Sequence, residues 1–92
     1  MARVIITLKI MPGHPQVDLE KIKEAAGKAI RKFCGEDIGK SEKDEIGYGL
    51  VALKLYFIMD EAKGSTQSLE DEISKIPDVE SVNVIDVRRA LG

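Results

Sequence analysis

The sequence predicts an α+β fold, a ferredoxin-like plait (βαββαβ) in which a four-stranded antiparallel sheet carries two helices on one face. Its hydrophobic periods change along the chain in the order strand, helix, strand, strand, helix, strand. Its 92 residues suffice for one compact core, so residues 1–92 are interpreted as a single domain. Residues 47–59 are apolar on both faces, which is typical of a central strand, and right-handed crossovers place the first strand beside it.

The first part of the chain contains a strand and a helix. In residues 3–11 apolar side chains recur at every second position until Pro12 breaks the pattern. In residues 18–34 they recur at every third or fourth position and therefore share one helix face. Asp18 suits the N-cap and Gly35 suits the position just after the helix, so both helix ends are predicted as well as its body.

The remaining elements follow from the same signals. Residues 36–46 are polar, so a strand there would be an exposed edge strand protected by its charges. The central strand at 47–59 ends in a turn at 60–64. Residues 65–75 begin with a serine and a threonine that can cap a second helix, and residues 79–87 return to strand.

The composition excludes several classes of protein. Hydrophobic residues are 43% of the chain and charged residues 33%, which is typical of a globular domain and not of a disordered one. One cysteine, Cys34, and one histidine, His14, exclude a disulfide within the chain and a Cys/His zinc site. No apolar run reaches the ~18–20 residues that a membrane helix needs. We therefore expect a cytoplasmic protein with no membrane contact, no metal and no cofactor.

The charge is distributed unevenly along the chain. The net charge of −2 is the sum of +4 over residues 1–35, −2 over residues 36–59 and −4 over residues 60–92. The basic part is modest and has helical spacing, so it does not predict direct contact with nucleic acid. The pair Arg88-Arg89 is more unusual, because it closes the most acidic third of the chain.

The chain shows no set of residues typical of an enzyme. With a single histidine, it offers no convincing Ser/His/Asp or Cys/His arrangement, and Gly-rich phosphate-binding motifs are missing. His14 is interpreted as a solvated loop residue, and Cys34 as a small half-buried apolar residue. No catalytic residue is therefore predicted.

Two short segments remain as candidates for a binding function. Gly47-Tyr48-Gly49 places a large aromatic side chain between two glycines at the entrance to the central strand. Taken alone, it indicates a turn with Tyr48 packed over the strand end. The second segment, residues 87–92, contains Arg88 and Arg89 and reads by itself as a solvated basic tail. Both segments lie at strand ends, and the sequence does not say whether they meet.

The sheet face opposite the helices is predicted to be more apolar than solvent exposure requires. It would carry six side chains, five of them apolar or aromatic: Ile5, Thr7, Ala52, Tyr56, Ile58 and Ile85. Such a face often marks an interface with a partner or with a second copy. The oligomeric state stays open.

Several segments together resemble the guanine nucleotide exchange domains of the archaeal elongation factor 1-beta family. They are residues 4–12, 46–54, 71–75, 79–84 and 86–89. The similarity is carried by their order and spacing along the whole chain, since none is as specific as a metal-ligand signature. The resemblance implies a plait fold, which agrees with the periodicity.

The resemblance also implies a function and two contact points. Members of the family promote exchange of GDP for GTP on elongation factor 1-alpha, displacing nucleotide and magnesium without a covalent step. A Gly-aromatic-Gly turn of the family contacts the GTPase, and the matching residues here are Gly47, Tyr48 and Gly49. The eukaryotic domain sends a near-terminal lysine toward the magnesium and phosphate region. The matching position here is Arg89, or Arg88 if the alignment shifts by one residue.

Two other functions use the same fold. A small-ligand-binding regulatory module would use the loop glycines and the open sheet face. An RNA-binding plait would need aromatic side chains on the central strands, where the open face offers only Tyr56. Thermal-shift screening with small metabolites and RNA titration separate these alternatives from an exchange factor.

Overall fold

The computed structural model describes residues 2–90, so Leu91 and Gly92 of the predicted basic tail lie outside the described residues. The chain follows the order β1, α1, β2, β3, a short 3-10 helix, α2, β4. The bounds of these elements are β1 Arg3–Pro12, α1 Leu19–Cys34, β2 Lys40–Gly47, β3 Leu50–Asp60, the 3-10 helix Glu61–Lys63, α2 Gln67–Ser74 and β4 Val79–Arg89.

The sheet has the strand order β2-β3-β1-β4, and its neighbouring strands are all antiparallel. β1 and β3 therefore occupy the centre, as the crossover rule predicts, and β2 and β4 are the edges. The register pairs Val4 with Met59 on one side and with Arg89 on the other. The start of β1 thus lies beside the ends of β3 and β4. The predicted α+β plait is confirmed.

The core lies between the two helices and one face of the sheet. Alternate residues of the central strands, such as Leu8 and Phe57, are buried against Ile22 and Ile30 of α1 and Ile73 of α2. Because side chains alternate across a strand, the intervening residues face away from the helices.

The helix ends follow the sequence signals closely. The Asp18 side chain accepts a hydrogen bond from the Glu20 amide, and Gly35 takes a left-handed conformation at the end of α1. At α2 the capping is divided, because Thr66 is the N-cap while the Ser65 hydroxyl accepts the hydrogen bond from the Gln67 amide. Within the described residues neither helix is long and apolar enough to span a membrane.

The strand bounds differ from the sequence prediction in two places that matter for function. Gly47 ends β2 and β3 begins at Leu50, so Tyr48 and Gly49 form the turn of a hairpin. β4 continues to Arg89, two residues beyond the predicted end, because β1 still offers Val4 and Ile5 as pairing partners. The two arginines therefore belong to a strand, and the interpretation of Arg88 and Arg89 as a bare tail is wrong.

Candidate functional site

The hairpin between β2 and β3 carries Tyr48 at its tip. Gly47 pairs with Leu50, which leaves Tyr48 and Gly49 as the two residues of the loop. Their φ angles are 56° and 77°, and a positive φ at both central residues is what a type I′ turn requires. Gly47 also has a positive φ, 105°. The glycines are therefore explained by the backbone of the turn.

The backbone geometry of the turn does not explain why residue 48 is a tyrosine. It is 99% exposed, so the expectation that it packs over the strand end is wrong. A left-handed conformation costs an L-residue roughly 1–2 kcal/mol, and Asn or Gly would fit this position better. An exposed aromatic at a strained position has no stabilising contact to offset that cost, which favours a role in binding.

The hairpin turn is supported by the loop between β1 and α1. A Cβ atom at Gly49 would lie 3.6 Å from the ring of Pro15, so the two segments are in close contact. This loop is fastened in turn to the loop before β4, because the Gly13 amide donates to the Asp78 carbonyl at 2.8 Å. His14 Nε2 lies 3.4 Å from the Asp78 carboxylate. The turn that carries Tyr48 therefore rests on one loop, which a second loop holds in place.

Arg88 and Arg89 point to opposite faces of the sheet. Arg89 pairs with Val4, whose side chain is buried against the helices, and Arg88 pairs with Ile5 on the open face. The Arg88 guanidinium lies 2.8 Å from Asp86 on its own strand. The Arg89 guanidinium lies 3.2 Å from Glu61, at the start of the 3-10 helix. The two arginines therefore lie on different surfaces of the domain.

A cleft of about 320 Å³ lies beside the Arg89–Glu61 pair. Its walls are apolar strand side chains and the segment before α2, and its lining includes Val4, Met59, Val87, Glu61 and Thr66. Val87 is 57% exposed although it stands on the helix side of the sheet. This corner thus combines a cation with accessible apolar surface, a combination common in protein interfaces.

The two predicted contact points do not meet. Tyr48 precedes β3, whereas Arg89 lies level with Met59 near the end of β3. The nine residue-to-residue steps from Leu50 to Met59 correspond to about 30 Å along a strand. The longest dimension of the molecule is 42 Å, so Tyr48 and Arg89 occupy opposite ends of it.

The open sheet face between these ends is more polar than predicted. Tyr56 donates a hydrogen bond to Glu42 at 2.5 Å, and this bond, together with the charge of Lys40, lowers the pKa of Glu42 below its ordinary value of 4.5. The same hydrogen bond raises the pKa of Tyr56 above 10.0. Lys9 and Lys54 both approach Asp44.

Only part of the predicted apolar set on this face is accessible. Ile58 and Ile85 are exposed, whereas Thr7 and Ala52 are buried. Thr7 lies between the larger Tyr56 and Asp86 of the adjacent strands, which accounts for its burial. The face is therefore a small apolar patch among paired charges.

Sequence reasoning missed Glu61 and Pro15. Glu61 is 28 positions from Arg89, and no local pattern links them. The missing information is the register: β1 pairs Arg3 with Asp60 and Val4 with Arg89, which brings Glu61 close to Arg89. Across the described residues 2–90, no group of His, Cys, Asp or Glu could hold a metal ion.

Fold and geometry together define a small plait whose candidate residues lie at two distant, exposed ends, as suits a domain that binds another macromolecule. The family model of the EF-1 guanine nucleotide exchange domain matches residues 5–90. The chain therefore belongs to the EF-1 guanine nucleotide exchange domain family, and the resemblance inferred from the sequence is confirmed. It is a nucleotide exchange domain of a translation elongation factor, not an enzyme, and its partner is a GTPase.

The relatives are similar in sequence to this protein along almost its whole length. The chain is 43% identical to elongation factor 1-beta of Methanobrevibacter smithii over 91 residues, which cover 99% of this chain and 100% of the relative. It is 36% identical to elongation factor 1-beta of Methanosphaera stadtmanae with the same coverage. Elongation factor 1-beta of Staphylothermus marinus is 37% identical over 97% of this chain and 98% of its own length.

Proposed function

We propose that this domain promotes exchange of GDP for GTP on elongation factor 1-alpha, in the cytoplasm, and that residues 1–92 form one exchange domain. The observation that carries the proposal is the family match over residues 5–90, which includes the Tyr48 turn and both arginines. In the family, the GTPase partner delivers aminoacyl-tRNA to the ribosome, and exchange reloads it with GTP.

The physical basis of exchange is linkage between two ligands of one GTPase. A domain that binds the nucleotide-free GTPase more tightly than the GDP form must weaken GDP binding by the same factor. The domain therefore needs contacts that form fully only when the nucleotide or its magnesium ion has moved. No covalent step is required, and a site for nucleotide on the domain itself is unnecessary.

Arg89 is proposed as the residue that acts on the nucleotide site. A cation near bound magnesium repels the metal, and it can pair with the carboxylates or phosphates that the metal leaves. Arg89 is exposed, stands at the end of an edge strand and pairs with Glu61, which lines an accessible cleft, so a partner can reach it. An arginine differs here from the eukaryotic lysine, because its planar fork can bind two partners at once.

Tyr48, flanked by Gly47 and Gly49, is proposed as a docking residue at the other end. An aromatic side chain buried by a partner is a common hot spot, and Tyr48 is almost wholly free to be buried. Since it lies about 30 Å from Arg89 along the strands, it contacts a second surface of the GTPase. The long axis of the domain then lies across its partner. Arg88 projects from the open sheet face, where it can contact the partner separately.

The test is release of fluorescent GDP from purified elongation factor 1-alpha, chased with unlabelled nucleotide. The domain should accelerate release at substoichiometric concentration, since it dissociates after each exchange. A release rate equal to the spontaneous rate at every domain concentration contradicts the proposal. Ubiquitin, a domain of similar size, serves as the inert control.

Thermal-shift measurements address the small-ligand alternative. Elongation factor 1-alpha should raise the melting temperature of the domain by mass action, and amino acids or nucleotides should leave it unchanged. A shift with one of those small molecules, and none with the GTPase, would instead favour a regulatory module.

A further inference from the structure

Arg89 is held by only one corner of its guanidinium group. Its Nη2 atom lies 3.2 Å from Oε1 and 3.4 Å from Oε2 of Glu61. Within residues 2–90, neither Nε nor Nη1 of Arg89 makes a hydrogen bond or ion pair. The Nε–H group and the two N–H groups of Nη1 are therefore free to donate to other anions.

Glu61 is itself fixed by the backbone on which it stands. Its amide donates to the carbonyl of Ala2 at 3.0 Å, just before β1. The preceding Asp60 caps the 3-10 helix by accepting from the Ala62 amide at 2.8 Å. The end of β4 is tied to the same point, because the Ala90 amide donates to the Arg3 carbonyl at 2.9 Å. Glu61 and Arg89 thus project from a junction at which hydrogen bonds join three strands.

We propose that Glu61 is a positioning residue, which holds the Arg89 guanidinium at Nη2 so that its unpaired N–H groups meet the phosphate or carboxylate groups at the partner's nucleotide site. The inference rests on the proposed exchange function. It assigns to Glu61 an effect on exchange that operates through Arg89 alone. A long side chain fixed before binding loses less conformational freedom when the complex forms.

A purely stabilising role is a poor explanation of this pair. Both side chains are largely exposed, 71% for Arg89 and 47% for Glu61. Exposed ion pairs add little to folding stability. An arginine suits this arrangement better than a lysine would, because the N–H groups of a planar guanidinium point in fixed and separate directions, whereas an ammonium is a compact point charge.

The decisive experiment is a double-mutant cycle measured by fluorescent-GDP release from elongation factor 1-alpha. The variants are Glu61→Gln, Arg89→Ala and the double variant, with the limiting release rate at saturating domain as the readout. Glutamine keeps the size of the side chain and removes its charge. We expect Glu61→Gln to lower the limiting rate about two- to tenfold, the range expected from one immobilised side chain. In the Arg89→Ala background the same change should have no effect beyond about 1.5-fold.

Glu36→Gln is the matched control. Glu36 pairs with Arg3 at 2.8 Å near the same end of the sheet, and both side chains are about half exposed. The control removes the same charge from a comparable arginine pair without touching Arg89. Its limiting rate should equal that of the wild type.

A second measurement needs no partner. The ¹⁵N–¹H heteronuclear NOE of the Arg89 Nε–H group reports its mobility on the ps–ns timescale. We expect an ordered value in the wild type and in Glu36→Gln, and a lower value in Glu61→Gln.

Each outcome decides something definite. Equal or faster exchange by Glu61→Gln, an equal loss in both Arg89 backgrounds, or an unchanged NOE overturns the positioning role while leaving the exchange function intact. Normal exchange by Arg89→Ala overturns both the assignment of Arg89 and this inference. A wild-type domain that fails to accelerate release overturns the proposed function and the inference together.

Discussion

The two ends of the sheet hold their exposed side chains in opposite ways. At the Tyr48 end the backbone is fixed by positive φ angles and neighbouring loops, while the side chain touches almost nothing. At the Arg89 end the backbone is an ordinary strand, and the side chain is oriented by Glu61. The Tyr48 end is therefore sensitive to changes of backbone conformation, and the Arg89 end is sensitive to changes of charge.

The largest expected effect is on Arg89. Arg89→Ala should lower the limiting rate of GDP release about 10- to 100-fold, as expected for losing a charged hydrogen bond worth about 1.5–3 kcal/mol. Chemical denaturation should show a loss of stability below about 1 kcal/mol, because the pair with Glu61 is exposed. Arg88→Ala is the matched comparison, and it should retain most of the rate. A larger loss in Arg88→Ala would show that Arg88, and not Arg89, matches the near-terminal lysine of the eukaryotic domain.

The next effect concerns Tyr48. Tyr48→Gly should raise the half-saturating domain concentration about tenfold or more, since a docked tyrosine contributes roughly 2 kcal/mol. The same change should keep or increase the free energy of unfolding, by up to about 1 kcal/mol, because glycine accepts the φ of 56° without strain. Tyr48→Phe should behave nearly as the wild type. A destabilised Tyr48→Gly variant would show that the side chain packs against the domain.

A smaller effect is expected at Gly49, where φ is 77°. Gly49→Ala should lower the free energy of unfolding by about 1–2 kcal/mol, the cost of a left-handed L-residue. Gly39 provides the control, since its φ lies outside the left-handed region and a Cβ there would make only an ordinary contact with the Tyr56 carbonyl. Gly39→Ala should change stability by less than about 0.5 kcal/mol. Equal losses in the two variants would contradict the account of the turn.

The smallest effect is expected at Tyr56, on the open sheet face between the two ends. The pKa of Glu42 is lowered in the folded protein, so its contacts stabilise the fold above the ordinary pKa of 4.5 and are lost as pH falls through the folded value. Tyr56→Phe removes the main cause of that shift, and an NMR titration should show the pKa of Glu42 moving upward. GDP release at neutral pH should remain normal. A slowed release would mean that the open sheet face belongs to the partner interface.

The fold could be predicted largely from the sequence, because its signals are local. Periods of two and of three to four residues identified the strands and helices, and Asp18 and Gly35 marked the ends of α1. The end of β4 could not be predicted, because Arg88 and Arg89 remain in the strand only through pairing with β1, far away in the chain.

The candidate site was predicted only in part. The glycines at positions 47 and 49 indicated a turn, but the exposure of Tyr48 depends on what packs around the hairpin. That Arg88 and Arg89 face opposite ways follows from strand alternation once β4 is known to include them. The contact of Arg89 with Glu61 depends on the packing of three strands, for which a single sequence gives no direct signal.

We propose that the two ends of the domain act on one GTPase in different ways, one on its nucleotide site and the other in docking. This proposal is tested most directly by following fluorescent-GDP release from elongation factor 1-alpha across a range of concentrations of wild-type domain, Arg89→Ala and Tyr48→Gly. We expect Arg89→Ala to lower the limiting rate with little change in the half-saturating concentration, and Tyr48→Gly to raise the half-saturating concentration with little change in the limiting rate. Variants that alter the same parameter, or a wild-type domain that leaves release at its spontaneous rate, would contradict the proposal.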